Sequence, residues 1–163
     1  MNRLVATFFY VGLLRPASGT WGSLAALPVG WALHLAGGPV ALVIGIAAAF
    51  FGGWAATRAR TAGSADKDPS EIVIDEVAGQ WIAILPLSLG AMRTGADILA
   101  LWPGWVAAFL LFRLFDIWKP GPVGWADRRG DPLGVMLDDV IAGVFAALGV
   151  VVLAALAHGV MLA

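Results

Sequence analysis

Two short stretches of acidic residues each lead directly into an apolar segment. The acids are Glu71, Asp75, Glu76, Asp138 and Asp139, and the apolar segments are residues 77–92 and 140–163. Acidic side chains favour the amino-terminal end of a helix because the helix dipole stabilises them. That explanation does not easily cover several carboxylates at a lipid boundary, where an unpaired charge is costly. A divalent cation would relieve both the repulsion and the loss of hydration, and oxygen ligands favour a hard ion, so we expect Mg²⁺.

The first acidic stretch would form one face of a helix if that helix begins near Ser70. Glu71 and Asp75 would then lie four residues apart on the same side, with Gly79 next along it. Like charges at this spacing repel each other, which again favours a cation between them. We therefore predict metal ligands at Glu71, Asp75, Glu76, Asp138 and Asp139.

A run of glycine and hydroxyl residues, from Ser18 to Ser23, leads into the first long apolar segment. Such residues at the start of a helix leave N–H groups unpaired at the positive end of the dipole, an arrangement that suits a phosphate group. Thr20 and Ser23 are therefore candidate phosphate ligands. The alternative is structural: a glycine turn followed by an ordinary N-cap.

Basic side chains between residues 113 and 129 are further candidates for holding a phosphate. We expect Arg113, Lys119 and Arg128 to contribute, because guanidinium and ammonium groups pair well with phosphate oxygens. Arg113 and Asp116 are three residues apart and could instead pair with each other. The sequence leaves both interpretations open.

The elements that carry these residues are apolar helices. Apolar residues make up 60% of the 163-residue chain and charged residues 13%, well below the charged fraction of about 25% in soluble domains. No Asp, Glu, Lys or Arg occurs from Pro16 through Thr57, and the turn-forming residues Gly37, Gly38 and Pro39 divide this run into two segments. Ala142 and Gly143 are small enough to let another helix approach closely. We predict one all-α, polytopic membrane domain over residues 1–163, with about five membrane-embedded helices in the segments 20–36, 39–57, 77–92, 98–112 and 140–163.

The amino-terminal segment from Leu4 to Leu14 is apolar and flanked by arginines. Its apolar side chains at positions 4, 5, 8 and 9 share one helical face. We predict a short helix lying in the membrane interface. The small residues Ala17 and Ser18 that follow leave a signal-peptide core as the alternative.

The charged loops are distributed unequally between the two ends of the predicted spans. Alternating the spans places nine of the ten basic residues at one end and only Arg93 at the other. Lys and Arg accumulate in cytoplasmic loops, so the end that carries most acids and cations should face the cytoplasm. His34 and His158 fall at the opposite ends of their spans, where packing or interfacial roles are expected.

The residue types restrict the chemistry that is possible at the cytoplasmic end of the predicted spans. The chain contains no cysteine, which excludes a disulfide framework, a thiolate metal site and a cysteine nucleophile. The predicted positions of the histidines argue against a phosphohistidine intermediate. What remains is Mg²⁺ polarising a phosphoryl oxygen and activating water, with a carboxylate as base and Arg or Lys holding the phosphate. The residues leave open which carboxylate takes which role.

Four blocks of the chain, in the right order, resemble the phosphatidylglycerophosphatase A family: Gly19 to Ser23, Glu71 to Glu76, Phe112 to Pro120 and Gly134 to Gly143. The resemblance implies a Mg²⁺-dependent helical enzyme of the bacterial inner membrane, which converts phosphatidylglycerophosphate to phosphatidylglycerol and phosphate in glycerophospholipid biosynthesis. It implies functional acids at Glu71, Asp75, Glu76, Asp116, Asp138 and Asp139, and functional cations at Arg113 and Lys119. We accordingly expect catalytic roles for Asp75, Glu76, Asp116 and Asp139.

Two other functions stay open. A lipid phosphotransferase of the common bacterial form would space several aspartates along one helix with glycine and arginine between them, and that pattern is absent. A small transporter or channel would need polar residues along its spans, whereas these spans contain almost no polar residues between their ends. As partners we expect the lipid substrate and membrane lipids, and no nucleic acid; homo-oligomerisation is left open.

Overall fold

The structure, a computed structural model, describes residues 2–63 and 69–161, with side chains described for residues 3–63 and 69–157. Within these ranges the chain is helical and contains no strand, which confirms the all-α prediction. The helices in chain order are α1 (Asn2–Ala6), α2 (Ser18–Thr61), α3 (Ile74–Thr94), α4 (Trp102–Trp118), α5 (Pro122–Asp127) and α6 (Pro132–Met161), with short 3-10 turns at Val11–Leu13 and Ile98–Leu101. Lys67, one of the predicted cytoplasmic cations, and the side chain of His158 lie outside the described residues.

Helix α2 is broken near its middle. The backbone leaves helical geometry at Gly37 and Gly38, and Gly38 has a φ of 61°, which glycine adopts without steric cost. The break separates a first arm, residues 18–36, from a second arm, residues 39–61. The glycine-rich turn predicted at this point is confirmed.

The two arms of α2 fold back on each other as a helical hairpin. Gly22, near the start of the first arm, lies against Val73, and Gly53, near the end of the second, lies against Ile74. Leu33 of the first arm also lies against Gly45 of the second. Both ends of the hairpin therefore meet the beginning of α3, and the arms run antiparallel.

Helix α3 lies at the centre of the protein, in contact with α2, α4 and α6. Twelve of its 21 residues are buried, and they include the polar side chains Gln80 and Ser88. The indole Nε1 of Trp81 donates a hydrogen bond of 2.8 Å to the carbonyl oxygen of Ala26 in the first arm. A helix enclosed by protein can carry a group such as this indole N–H because its neighbours supply partners that lipid cannot.

The contact between α3 and α6 depends on two glycines. A Cβ atom on Gly143 would lie 2.4 Å from the carbonyl oxygen of Gly79, and one on Gly79 would lie 2.5 Å from the carbonyl oxygen of Asp139. Ala142, beside this contact, is fully buried. The prediction that Ala142 and Gly143 admit a neighbouring helix is confirmed, because only small residues allow helices to approach so closely.

The outer faces of the helices are apolar. Exposed side chains of α4 recur at four-residue spacing, at Trp102, Val106, Leu110, Leu114 and Trp118, so that they form one stripe along the helix. Three helices in the described ranges are long and apolar enough to cross a membrane: Ser18–Thr61, Ile98–Trp118 and Pro132–Ala157. The predicted number of about five is not confirmed by this count, which takes the broken α2 as one helix and does not include the more polar α3.

The amino-terminal segment differs from the predicted single interfacial helix. Helix α1 covers only Asn2–Ala6, and the chain then passes through three successive residues of positive φ at positions 8–10. Ala6 is fully buried, and its carbonyl oxygen accepts a hydrogen bond of 2.9 Å from the N–H of Val73. The segment is therefore packed against the chain that leads into α3.

Replacing Gly79 with alanine should destabilise the protein, because a Cβ atom there would lie 2.5 Å from both the Asp139 carbonyl oxygen and the ring of Phe112. Overpacking of this kind costs about 1–3 kcal/mol. Gly90→Ala in the same helix is the matched control, since nothing lies within 4 Å of its Cβ position. It should leave stability unchanged or raise it slightly. Thermal unfolding in detergent measures both, and equal effects of the two variants would contradict the packing argument.

Candidate active site

Asp75, Glu76 and Asp139 form a cluster in which one carboxylate oxygen of each residue lies within 4.8 Å of the others. Asp75 and Asp139 are buried, with 6% and 3% of their surface exposed, and Glu76 is half-buried. The Oε2 atom of Glu76 and the Oδ1 atom of Asp139 are buried without a hydrogen-bond partner among the described residues. Three carboxylates arranged in this way are suited to bind a hard cation.

The start of α3 decides which acids join this cluster. The helix begins at Ile74, so the prediction of a start near Ser70 is wrong. The preceding residues form a turn instead, in which the N–H of Ile72 donates a 2.8 Å hydrogen bond to the carbonyl oxygen of Pro69. Asp75 therefore lies in the first helical turn, where the helix dipole favours a negative charge.

Glu71, which the sequence suggested as a metal ligand, lies apart from the cluster. Its carboxylate accepts hydrogen bonds from Arg60 at the end of α2 and from Arg3 of α1, the latter at 3.5 Å. Because Glu71 lies in the turn before the helix, it does not share a helical face with Asp75. These two ion pairs tie α1, α2 and the approach to α3 together.

Arg113 and Asp116 pair with each other, with 2.6 Å between Nη1 and Oδ2, so the pairing that the sequence left open is present. The same Nη1 atom donates a hydrogen bond of 3.4 Å to the hydroxyl of Ser23. Asp116 in turn is one of the negative charges that act on Asp139. Arg113 consequently contacts both Asp116 and the first turns of α2.

The first turn of α2 packs directly against this arginine and the cluster. A Cβ atom on Gly19 would lie 2.2 Å from Oε1 of Glu76 and 3.3 Å from Nη1 of Arg113. Only glycine leaves room for the carboxylate to approach the helix so closely. The glycine-rich block therefore has a packing role that the sequence did not reveal.

The hydroxyl residues of this turn have different surroundings. The N-cap residue of α2 is Ala17 and provides no side-chain cap, so the ordinary N-cap suggested as an alternative is not present. The Ser18 hydroxyl donates to the carbonyl oxygen of Ser70 at 2.5 Å, and the buried Ser23 hydroxyl donates to that of Gly19 at 2.8 Å. Thr20 is half-buried beside them. Phosphate binding by Thr20 and Ser23 stays a prediction.

Lys119 forms a bridge between two acids. Its Nζ atom donates hydrogen bonds to Asp127 and, at 2.8 Å, to Asp138. Burial lowers the pKa of this ammonium group, but the hydrogen bonds to Asp127 and Asp138, together with the negative charges of these two residues, outweigh that effect and hold the pKa above its ordinary value. Lys119 therefore stays cationic and neutralises Asp138, which lies beside the cluster without being one of its three carboxylates.

Arg128 and His34 lie away from these contacts. Arg128, a predicted phosphate ligand, is exposed after α5, and nothing in the described chain ties it to the cluster. The Nδ1 atom of His34 lies 2.7 Å from the hydroxyl of the buried Ser88, which is more than three helical turns along α3 from Glu76. The packing role expected for His34 is confirmed.

Sequence reasoning missed Gln80. This residue is fully buried, and neither of its amide atoms has a hydrogen-bond partner among the described residues. It follows Glu76 by four residues, so it lies one turn along the same face of α3. The available signal was a single amide side chain inside the otherwise apolar segment 77–87.

The chain is similar to known phosphatases over most of its length. Residues 4–154 match the family phosphatidylglycerophosphatase A. A phosphatidylglycerophosphatase A from Haemophilus influenzae is 37% identical over 145 residues, which cover 88% of this chain and 82% of that protein. A protein of the same name from Escherichia coli K12 is 33% identical over 153 residues, which cover 88% and 78%.

A third relative carries a different name. A putative phosphatidylinositol-3-phosphatase from Bacteroides thetaiotaomicron is 36% identical over 148 residues, which cover 87% of this chain and 86% of that protein. No solved structure matches the chain.

Gly19→Ala should reduce phosphatase activity strongly while changing stability little. The added methyl group would displace the Glu76 carboxylate, whose flexible end can move aside at small cost to the fold. The matched control is Gly52→Ala in the same helix, where the nearest atom lies 4.0 Å from the Cβ position. Phosphate release and thermal unfolding, measured together, distinguish the two effects. Full activity of Gly19→Ala would show that the close approach of Glu76 to α2 is unimportant.

Proposed function

The chain belongs to the phosphatidylglycerophosphatase A family and is a phosphatase, and from this premise we propose that it hydrolyses phosphatidylglycerophosphate to phosphatidylglycerol and phosphate. We further propose that the reaction requires Mg²⁺ and serves glycerophospholipid biosynthesis. The observation that carries this proposal is the cluster of Asp75, Glu76 and Asp139 beside Arg113, at one end of a bundle of apolar helices.

The donor atoms of the cluster suit Mg²⁺. All three are carboxylate oxygens, which hard cations prefer over nitrogen or sulfur. The unpartnered Oε2 of Glu76 and Oδ1 of Asp139 are the atoms that most need a positive charge, because unpaired buried carboxylate oxygens are costly. When bound, Mg²⁺ would supply Lewis-acid polarisation of the phosphoryl group. Asp138 would act from beside the site, as the partner of Lys119.

The other residues would hold the substrate and move a proton. Arg113 and Thr20 would bind the phosphate oxygens, and the buried Ser23 hydroxyl, which donates to the Gly19 carbonyl oxygen and accepts from Arg113, would hold the guanidinium group in place. Water attacks phosphorus, the bond from phosphorus to the glycerol oxygen breaks, and the glycerol oxygen ends with a proton. Asp116 pairs with Arg113 and lies outside the three-carboxylate cluster, so we assign it, and not a proposed metal ligand, as the group that accepts the proton of the attacking water and returns a proton to the glycerol oxygen.

A membrane setting is supported by the long apolar helices and their exposed apolar faces. We propose that both arms of α2 and the helices α3, α4 and α6 are embedded in the bacterial inner membrane. The excess of Lys and Arg at the end that carries the carboxylates supports a cytoplasmic position for the site. The lipid phosphate would then reach the carboxylates from the inner leaflet, while its acyl chains stay among the helices.

Purified protein in detergent should release phosphate from phosphatidylglycerophosphate with Mg²⁺ and release none with a chelator. Phosphatidic acid and phosphatidylinositol 3-phosphate, tested side by side, should be poorer substrates. The second lipid is included because one relative is named a putative phosphatidylinositol-3-phosphatase. A clear preference for either alternative lipid would overturn the proposed substrate, and full activity with chelator would overturn the metal requirement.

Asp139→Asn should lower kcat by at least about 100-fold, because it removes one negative charge from the proposed cation site and an essential metal contact contributes several kcal/mol to the transition state. The folded protein should persist, since asparagine has nearly the same shape. His34→Ala serves as the control: its partner Ser88 lies far along α3 from the cluster, and most activity should remain. Near-normal turnover by Asp139→Asn with Mg²⁺ would remove Asp139 from the site.

A further inference from the structure

An apolar cavity of about 250 Å³ lies between the amino-terminal segment, the two arms of α2 and the start of α3. The described residues that line it are all apolar or glycine, and they include Leu4 of α1 and Ala48 of the second arm. Trp81 also lines it, but its Nε1 atom already donates to the Ala26 carbonyl oxygen. An apolar cavity of about 150 Å³ is already large enough to stay dry and to take up an apolar molecule. The larger cavity here therefore suits an apolar occupant.

The cavity opens on the outer surface of the helical bundle. Among the residues that line it, Phe9 is 69% exposed and Val29 is 37% exposed, and Ala48 is exposed as well. An occupant can therefore enter from outside, between the amino-terminal segment and the two arms of α2. Because α2 is long and apolar enough to cross a membrane, the molecules beside this opening are lipids, whose acyl chains match the apolar lining.

Positive charge is in excess at one end of the cavity. Arg3 immediately precedes Leu4, and Glu71 lies three residues before Ile74, which lines the cavity on α3. Arg3 and Arg60 both pair with Glu71, so two guanidinium groups share one carboxylate. The side chain of Arg3 is 54% exposed and its contact with Glu71 is long, at 3.5 Å. An anionic lipid headgroup at Arg3 would balance the remaining positive charge.

The cavity and the carboxylate cluster lie on different sides of α3. Ile74 and Trp81, which line the cavity, are seven residues apart and therefore share one face of the helix. Asp75 and Glu76 are turned away from Ile74 by about 100° and about 200° around the helix axis. Asp75 instead shares its face with Gly79, which packs against α6. This arrangement favours a lipid distinct from the one whose phosphate would lie at the cluster.

We propose that the cavity binds one acyl chain of an anionic phospholipid of the surrounding bilayer, distinct from the substrate, and that Arg3 binds the phosphate of this lipid. The chain enters between the amino-terminal segment and the arms of α2, and it follows the face of α3 from Ile74 to Trp81 for about 10 Å. Because this lipid binds the folded protein alone, it stabilises the fold without taking part in the reaction.

Filling the cavity tests the site for the acyl chain. Native mass spectrometry measures how tightly the purified full-length protein, in detergent with chelator, binds phosphatidylserine, which is neither the proposed substrate nor its product. Ala48→Phe places a ring in the cavity and should weaken this binding at least about tenfold, the effect of excluding two buried methylene groups. Ala47→Phe is the matched control, because Ala47 is exposed on the same arm but does not line the cavity. Its affinity should be unchanged.

Replacing Arg3 tests the site for the headgroup. The unchanged protein should bind phosphatidylserine about fivefold more tightly than phosphatidylcholine with the same acyl chains, the effect of one basic residue near an anionic lipid. Arg3→Gln should remove this preference. Arg15→Gln should keep it, because Arg15 is exposed in the same segment but does not line the cavity. A preference that persists in Arg3→Gln would overturn the binding of the headgroup by Arg3.

The remaining outcomes separate this lipid from the substrate. Ala48→Phe should leave the KM for phosphatidylglycerophosphate unchanged. A rise in KM that matches the loss of phosphatidylserine affinity would assign the cavity to the substrate and overturn the inference, while the proposed reaction would stand. Equal phosphatidylserine binding by Ala48→Phe and the unchanged protein would also overturn it. If Ala48→Phe does not fold, Ala48→Leu provides the same comparison, and failure of both to fold would show that the cavity admits no further apolar group.

Discussion

The repulsion among Asp75, Glu76 and Asp139 is the constraint around which the rest of the site is organised. Their oxygens lie within 4.8 Å of one another, and two of the three side chains are buried, so water screens the charges poorly. Other acids nearby are neutralised by the protein itself: Arg113 pairs with Asp116, and Lys119 pairs with Asp138 and Asp127. Within the cluster, Oε2 of Glu76 and Oδ1 of Asp139 have no hydrogen-bond partner among the described residues, so a cation is the simplest partner for these two atoms.

The position of the cluster depends on how closely two helices approach each other. Asp75 and Glu76 come from α3 and Asp139 comes from α6, and the contact at Gly79 and Gly143 brings the two backbones together. Because glycine has no side chain, the carbonyl oxygen of Asp139 can rest against α3 one turn beyond the acids. The glycines of the bundle thus serve the site as well as the packing of the helices.

The proposed reaction involves two parts of the substrate, the phosphate group and the alcohol from which that group is cleaved. Carboxylates, a cation and an arginine act on a phosphomonoester in the same way whether the alcohol is a glycerol or an inositol. This is consistent with relatives of similar identity that carry the names of two different lipid phosphatases. Discrimination between lipids must therefore come from groups that contact the alcohol.

The sequence by itself determined that the chain is a helical membrane protein, that a hairpin turn lies at Gly37 and Gly38, and that acids stand at the amino-terminal ends of α3 and α6. These features depend on local composition: uncharged runs, glycine pairs and charges at segment ends are visible along the chain. The tertiary structure decided which acids meet. Glu71 is only four residues from Asp75, yet it pairs with Arg60 because α3 begins at Ile74. Asp139 is 64 residues away and joins the cluster, and Gln80 became visible only through its burial. Helix starts, ion pairs and helix crossings depend on contacts between distant segments, which spacing along one chain does not encode.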